Sequence, residues 1–116
     1  MQREVFTVLV ADDQREIVTT ISNWLRQAGH VAVSAASGRE ALALIRSMHL
    51  DGLVTDLVMP NGNGIELIMD VRAAKPDLRI VAISSVDQTE AALAAGANRC
   101  LRKPLNPRDV LAAVFD

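Results

Sequence analysis

Strand and helix patterns alternate five times along these 116 residues with short connections between them. That alternation restricts the fold to a parallel sheet with helices on both faces. Residues 5–10, Val-Phe-Thr-Val-Leu-Val, form a largely β-branched apolar run, the pattern of a strand covered on both sides. The period then changes: Ile17, Ile21, Trp24, Leu25 and Ala28 share one helical face, and Gly29 is placed as a C-terminal cap. A second strand over 31–35 leads to Ser37 and Glu40, a capping box before the apolar face of Ala41, Leu42, Leu44, Ile45 and Met48. Leu53, Val54 and Thr55 make a third strand that stops near Asp56, before the turn signals of residues 59–64. Ile65, Ile68 and Val71 recur at helical spacing until Lys75-Pro76 closes the element. The fourth strand, 79–83, ends in Ser84-Ser85. Asp87 with Glu90 predicts a helix start that Gly96 terminates. Residues 98–102, less apolar than the others, predict a fifth strand at a sheet edge. Asn106 as cap and Pro107 at the first helical position open a helix carrying Val110, Leu111, Val114 and Phe115.

At this length residues 1–116 read as one domain with a real core, which must be aliphatic because only 3% of residues are aromatic. A formal net charge of -2 gives no basic footprint, so nucleic acid is not an expected partner. No run approaches a membrane span and no secretory h-region is visible, so the chain is expected to be soluble and cytoplasmic. The one cysteine, Cys100, cannot staple the fold, in keeping with a reducing compartment.

Right-handed crossovers put the carboxyl ends of all five strands on one rim, where open α/β sheets gather their ligands. Asp12 and Asp13, Asp56, Ser84 and Lys103 fall at the ends of the first, third, fourth and fifth strands. Each has a local alternative: Asp13 with Glu16 makes a capping box, Asp56 starts a turn, Ser84 is an ordinary loop residue, and Lys103-Pro104 leaves a strand. Together they are harder to explain locally. Three carboxylates on one rim repel each other and raise their own pKa values unless a cation is present. Lys103 is one such cation. An all-oxygen donor set without His or Cys favours Mg2+ as another, since that ion binds through one or two carboxylates and commonly meets a phosphate.

These residues resemble the receiver domain of a two-component response regulator. The matching features are Asp12-Asp13 after the first strand, Asp56 followed by Met59-Pro60 and Gly64, Ser84 after the fourth strand, Ala95-Gly96-Ala97 before the fifth, and Lys103-Pro104 after it. The resemblance implies a flavodoxin-like (βα)5 sandwich with strand order 2-1-3-4-5. It implies that Asp56 accepts a phosphoryl group from a phosphohistidine of a sensor histidine kinase or a histidine phosphotransfer domain. Asp13 would bind Mg2+ directly and Asp12 mainly through water, with Asp56 and the backbone carbonyl of Val58 completing the protein ligands. Lys103 would pair with Asp56 and then with a phosphoryl oxygen. The hydroxyl of Ser84 would move to another oxygen and drag its loop, which is the switch.

The chain departs from the family in three places. Cys100 stands where a Tyr or Phe is usual, three residues before the lysine, and a thiol cannot fill a ring's space. The Ser84–Lys103 segment is a few residues shorter than usual, at the cost of the fourth helix or the loop before it. Gly62 and Asn63 replace the more usual Met and Asp. Cys100 is expected to be a small residue on an edge strand rather than a reactive thiol. Arg99, Arg102 and Arg108 are expected as solvated charge or as part of a docking face, since the family implies self-association through the fourth helix, fifth strand and fifth helix. A competing reading is a small Mg2+-dependent phosphohydrolase with Asp56 as nucleophile. Haloacid dehalogenase-type enzymes want a second acid two residues later, where this chain has Val58, and no cap domain is evident. A flavin or nucleotide module is disfavoured because Ala11-Asp12-Asp13-Gln14 replaces a Gly-rich phosphate loop and would repel a phosphate. The sequence carries no output domain, which suits a stand-alone regulator, a receiver from a longer regulator or one from a hybrid kinase.

Overall fold

The computed structural model describes residues 4–59 and 62–116. Five strands, β1 (Thr7–Ala11), β2 (Val31–Ala35), β3 (Gly52–Asp56), β4 (Arg79–Ser84) and β5 (Arg99–Arg102), form one sheet in the order β2-β1-β3-β4-β5. Every pairing within it is parallel, as the alternation and the resemblance both predict. β5 lies at the edge expected for it. Around the sheet run α1 (Arg15–Gln27), α2 (Gly38–Ser47), α3 (Gly64–Ala74), α4 (Thr89–Ala95) and α5 (Pro107–Phe115). The turn expected after β3 contains a two-residue antiparallel ladder, Val58–Met59 with Gly62–Asn63. Pro60 and Asn61, part of the motif read from the sequence, lie outside the described residues.

The strict alternation of side chains along each strand sorts the core into two layers. Val8, Val10, Val54, Val81 and Ile83 face α1 and α5, packing with Ile21, Leu25, Val110 and Val114. Leu9, Ala11, Leu53, Ile80 and Ala82 face α2, α3 and α4, packing with Ile45, Ile68, Val71 and Ala92. Each fully buried aliphatic side chain contributes roughly 1.5–3 kcal/mol relative to exposure, so these layers hold the sheet rigid beneath its loops.

Capping chemistry departs from the sequence reading at two helices. Asp13 and Glu16 do not form a box; Gln14 is the N-cap of α1 and makes no side-chain cap bond. Asp87 accepts from the Thr89 N–H at 3.2 Å, so α4 starts later than the Asp87/Glu90 spacing suggested. α4 is only seven residues long. Elsewhere the caps follow expectation. Ser37 Oγ accepts from the Glu40 N–H at 3.2 Å, although Glu40 itself reaches the Ala36 N–H rather than that of Ser37. Asn106 Oδ1 accepts from the Asp109 N–H at 2.8 Å with Pro107 in the first turn.

Candidate functional site

Register brings the strand ends together before any side chain is considered. Ala11 is opposite both Ala35 and Thr55, so Asp12 leaves β1 beside Asp56 at the end of β3. Ser84 is opposite Arg102, which puts Lys103 one step beyond it, and the Lys103 N–H donates to the Ser84 carbonyl at 2.9 Å. The rim therefore gathers all five of the residues that the sequence singled out.

Asp12 and Asp56 are buried, at 1% and 6% exposure, while Asp13 is exposed at the mouth. One carboxylate oxygen from each of the three lies within 4.8 Å of the others. Asp12 Oδ1 accepts from the Gln14 N–H at 2.9 Å, and Asp56 Oδ1 accepts from the Val58 N–H at 3.3 Å. The Lys103 ammonium stands against the cluster, 3.4 Å from Asp12 Oδ2 and 3.5 Å from Asp56 Oδ2. Ser84 is fully buried and its Oγ accepts from the Val86 N–H at 3.2 Å. Used there as an acceptor, the hydroxyl keeps its own proton for another partner. The Val58 side chain is exposed.

Two residues that the sequence reading did not weigh as site residues shape this pocket. Gln14 Oε1 lies 3.4 Å from Lys103 Nζ. Gly64, noted only as part of a motif, starts α3 directly against the end of β3: a Cβ there would sit 2.5 Å from the Asp56 carbonyl oxygen and from Leu57 Cα. No side chain fits without moving the backbone that carries Asp56. Cys100 lies on β5 opposite Ala82 and packs against the α2–α4 layer, so it is a partly buried core-edge residue as expected.

Burial pushes the Asp12 carboxyl above its ordinary pKa; the Gln14 N–H bond opposes the shift, the Asp56 charge adds to it, and Lys103 only partly offsets it. A carboxyl raised in this way binds its proton more tightly folded than unfolded. Its contribution to stability is therefore lost as pH rises through the folded pKa. The donor set is all oxygen and converges on one point, which fits a hard divalent cation that would relieve the strain. Asp12→Asn is accordingly expected to melt higher than the parent at neutral pH without divalent metal and to gain less on adding Mg2+. Thermal melts with and without the ion check both differences, and a lower metal-free melting temperature would contradict the account.

A parallel sheet with a lysine-capped acidic cluster on its carboxyl rim is the arrangement that the receiver resemblance implies, and it suits a divalent cation better than the bare phosphate of a nucleotide. Residues 8–115 match the model of the response regulator receiver domain, and the chain belongs to that family. It is 32% identical over 111 residues to the DNA-binding transcriptional regulator NtrC of Azospirillum brasilense, covering 93% of this chain but only 23% of that protein. Among solved structures, a Burkholderia pseudomallei response regulator with a phosphorylated aspartic acid, calcium ion and citrate superimposes with a TM-score of 0.88. That pair is 28% identical, covering 94% of this chain and 66% of the other. The Thermotoga maritima response regulator TrrA in complex with Mg2+–BeF gives a TM-score of 0.88 at 25% identity, covering 95% and 96%. The chain is thus a phosphoacceptor module of two-component signalling, the kind of domain that interacts with sensor kinases. No helix among the described residues is long and apolar enough to cross a membrane.

Proposed function

We propose that Asp56 takes a phosphoryl group from a phosphohistidine on a sensor histidine kinase or histidine phosphotransfer domain. The observation that carries this is the Asp56 carboxylate at the rim, within 3.5 Å of the Lys103 ammonium and clustered with Asp12 and Asp13. An Asp56 oxygen attacks phosphorus in line; the P–O bond forms as the P–N bond breaks, and the imidazole leaves with the electron pair. Lys103 stays protonated and transfers its pairing from Asp56 to a phosphoryl oxygen. Ser84 donates a hydrogen bond through its uncommitted hydroxyl proton to another phosphoryl oxygen, and giving up its place over Val86 N–H moves the β4–α4 loop. Asp12, Asp13, Asp56 and the backbone carbonyl of Val58 would hold Mg2+. The ion supplies charge neutralisation for the incoming phosphoryl oxygens. An exposed apolar side chain offers no ligand atom, which agrees with a backbone role for Val58.

The apolar groove of Ile17, Ile21, Trp24, Pro104 and Leu105 adjoins Lys103 and offers a phosphodonor protein a resting place beside the pocket. Self-association through α4, β5 and α5 would use the exposed Arg99, Arg102 and Leu93. Residues 1–116 would act as a single receiver in the cytoplasm, and any output and cognate kinase belong to the rest of its signalling system. The reaction is stoichiometric: position 58, where a phosphohydrolase of the dehalogenase type keeps its second acid, holds a valine. Incubation with Mg2+ and acetyl phosphate, followed by intact-mass analysis, is expected to show one phosphoryl group per chain. Sustained release of phosphate from a phosphomonoester, many equivalents per chain, would instead establish the hydrolase.

A further inference from the structure

We infer that Gln14 is a positioning residue for Lys103, holding its ammonium at the mouth of the pocket so that it can leave Asp56 for an arriving phosphoryl group. The inference rests on the function proposed above. An ammonium has three protons and no acceptor capacity. Lys103 Nζ has three oxygens to serve: Asp12 Oδ2 at 3.4 Å, Asp56 Oδ2 at 3.5 Å and Gln14 Oε1 at 3.4 Å. Near-equal distances mean that the head is shared among the three rather than seated on either carboxylate. Gln14 is the one neutral member of the set and the one on the exposed side.

Its backbone is tied down independently. The Gln14 N–H donates to Asp12 Oδ1 at 2.9 Å, and its carbonyl accepts from the N–H groups of Ile17 and Val18 at 3.1 and 3.2 Å as α1 begins. A side chain springing from so fixed a point is a defined tether. Without it, Lys103 collapses onto Asp12 and Asp56. Both carboxylates are buried, where pairing with an ammonium is stronger than at the surface, so phosphoryl capture must first break a tighter contact. The amide also adds no negative charge at the entrance used by an anionic donor. A glutamate there would hold the lysine harder and repel the donor.

Gln14→Met keeps the length and removes the acceptor. Loss of a hydrogen bond to a charged group leads us to expect phosphorylation by acetyl phosphate at saturating Mg2+ to slow by about three- to tenfold. A Lys103→Ala background should abolish this difference, because the tether then has nothing to hold. Heteronuclear NMR of the Lys103 ammonium, on the unphosphorylated proteins, gives a second readout: its resonance should shift in Gln14→Met. An equal slowing in both backgrounds, or an unmoved Lys103 resonance, overturns the inference. Failure of the parent protein to accept a phosphoryl group would sink the proposed function, whereas the NMR comparison judges the tether by itself.

Discussion

Asp56→Asn is expected to gain no phosphoryl mass from acetyl phosphate or from a phosphorylated histidine donor under conditions that convert most of the parent protein. The amide is close in size to the carboxylate, so the β3 end and its packing against Gly64 should survive. It lacks the anionic oxygen that attacks phosphorus, and no other group inherits that place. Asp12 is tucked against the Gln14 N–H, and Asp13 stands exposed at the mouth. Loss should therefore be complete rather than partial, unlike the fractional losses expected on removing a group that only stabilises transferred charge. The fold itself should not suffer, because removing one of three crowded carboxylates relieves repulsion. Intact mass and a denaturant melt on the same samples separate chemistry from folding. A phosphoryl group that persists in Asp56→Asn would place the nucleophile elsewhere and undo the proposed mechanism.

The sheet order, the two-layer core and the rim cluster were legible because each depends on periodic or local signals. A run such as residues 5–10 declares a strand without reference to any partner, and right-handed crossovers then dictate which ends coincide. What escaped depends on distances between elements. Gln14 reads as an ordinary polar residue until α1 is docked and Lys103 comes within 3.4 Å of it. The Asp87/Glu90 spacing sets the start of α4 one residue early, because Asp87 accepts from the Thr89 N–H in an Asx turn and leaves Gln88 as the N-cap, a competition that spacing alone does not decide. The short ladder at Val58–Met59 and Gly62–Asn63 has too few residues to impose any pattern.

Arg72 is the strongest case of a residue silent in the sequence and central in the fold, and Arg72→Met is expected to destabilise the domain by about 3 kcal/mol. From the last turn of α3 its guanidinium donates to Gly96 O from Nε at 3.0 Å and from Nη2 at 2.8 Å. Nη1 serves the carbonyls of Lys75, Pro76 and Leu78 at 3.2, 2.9 and 2.7 Å. Nη2 also reaches Asn98 Oδ1 at 3.0 Å, and that same oxygen accepts from the Ile80 N–H at 2.8 Å. One side chain thus joins the end of α3, the approach to β4 and the turn between α4 and β5. Gly96 is required for the joint: its φ of 125° suits glycine, and a Cβ there would meet Arg72 Cβ and Cγ at 2.9 Å. Methionine fills the aliphatic part of the space and supplies no donor, so several carbonyls lose partners at once. Each partly buried carbonyl costs a fraction of a full hydrogen bond because water replaces some of what is lost. Urea denaturation should show the midpoint falling with little change in slope. Lysine at the same position would recover only part of the loss, since a single ammonium cannot bridge carbonyls that a planar fork reaches in two directions. A variant with unchanged midpoint would mean that these bonds are all replaceable by solvent, and that the end of α4 is held by the packing of Ala92 and Ala97 alone.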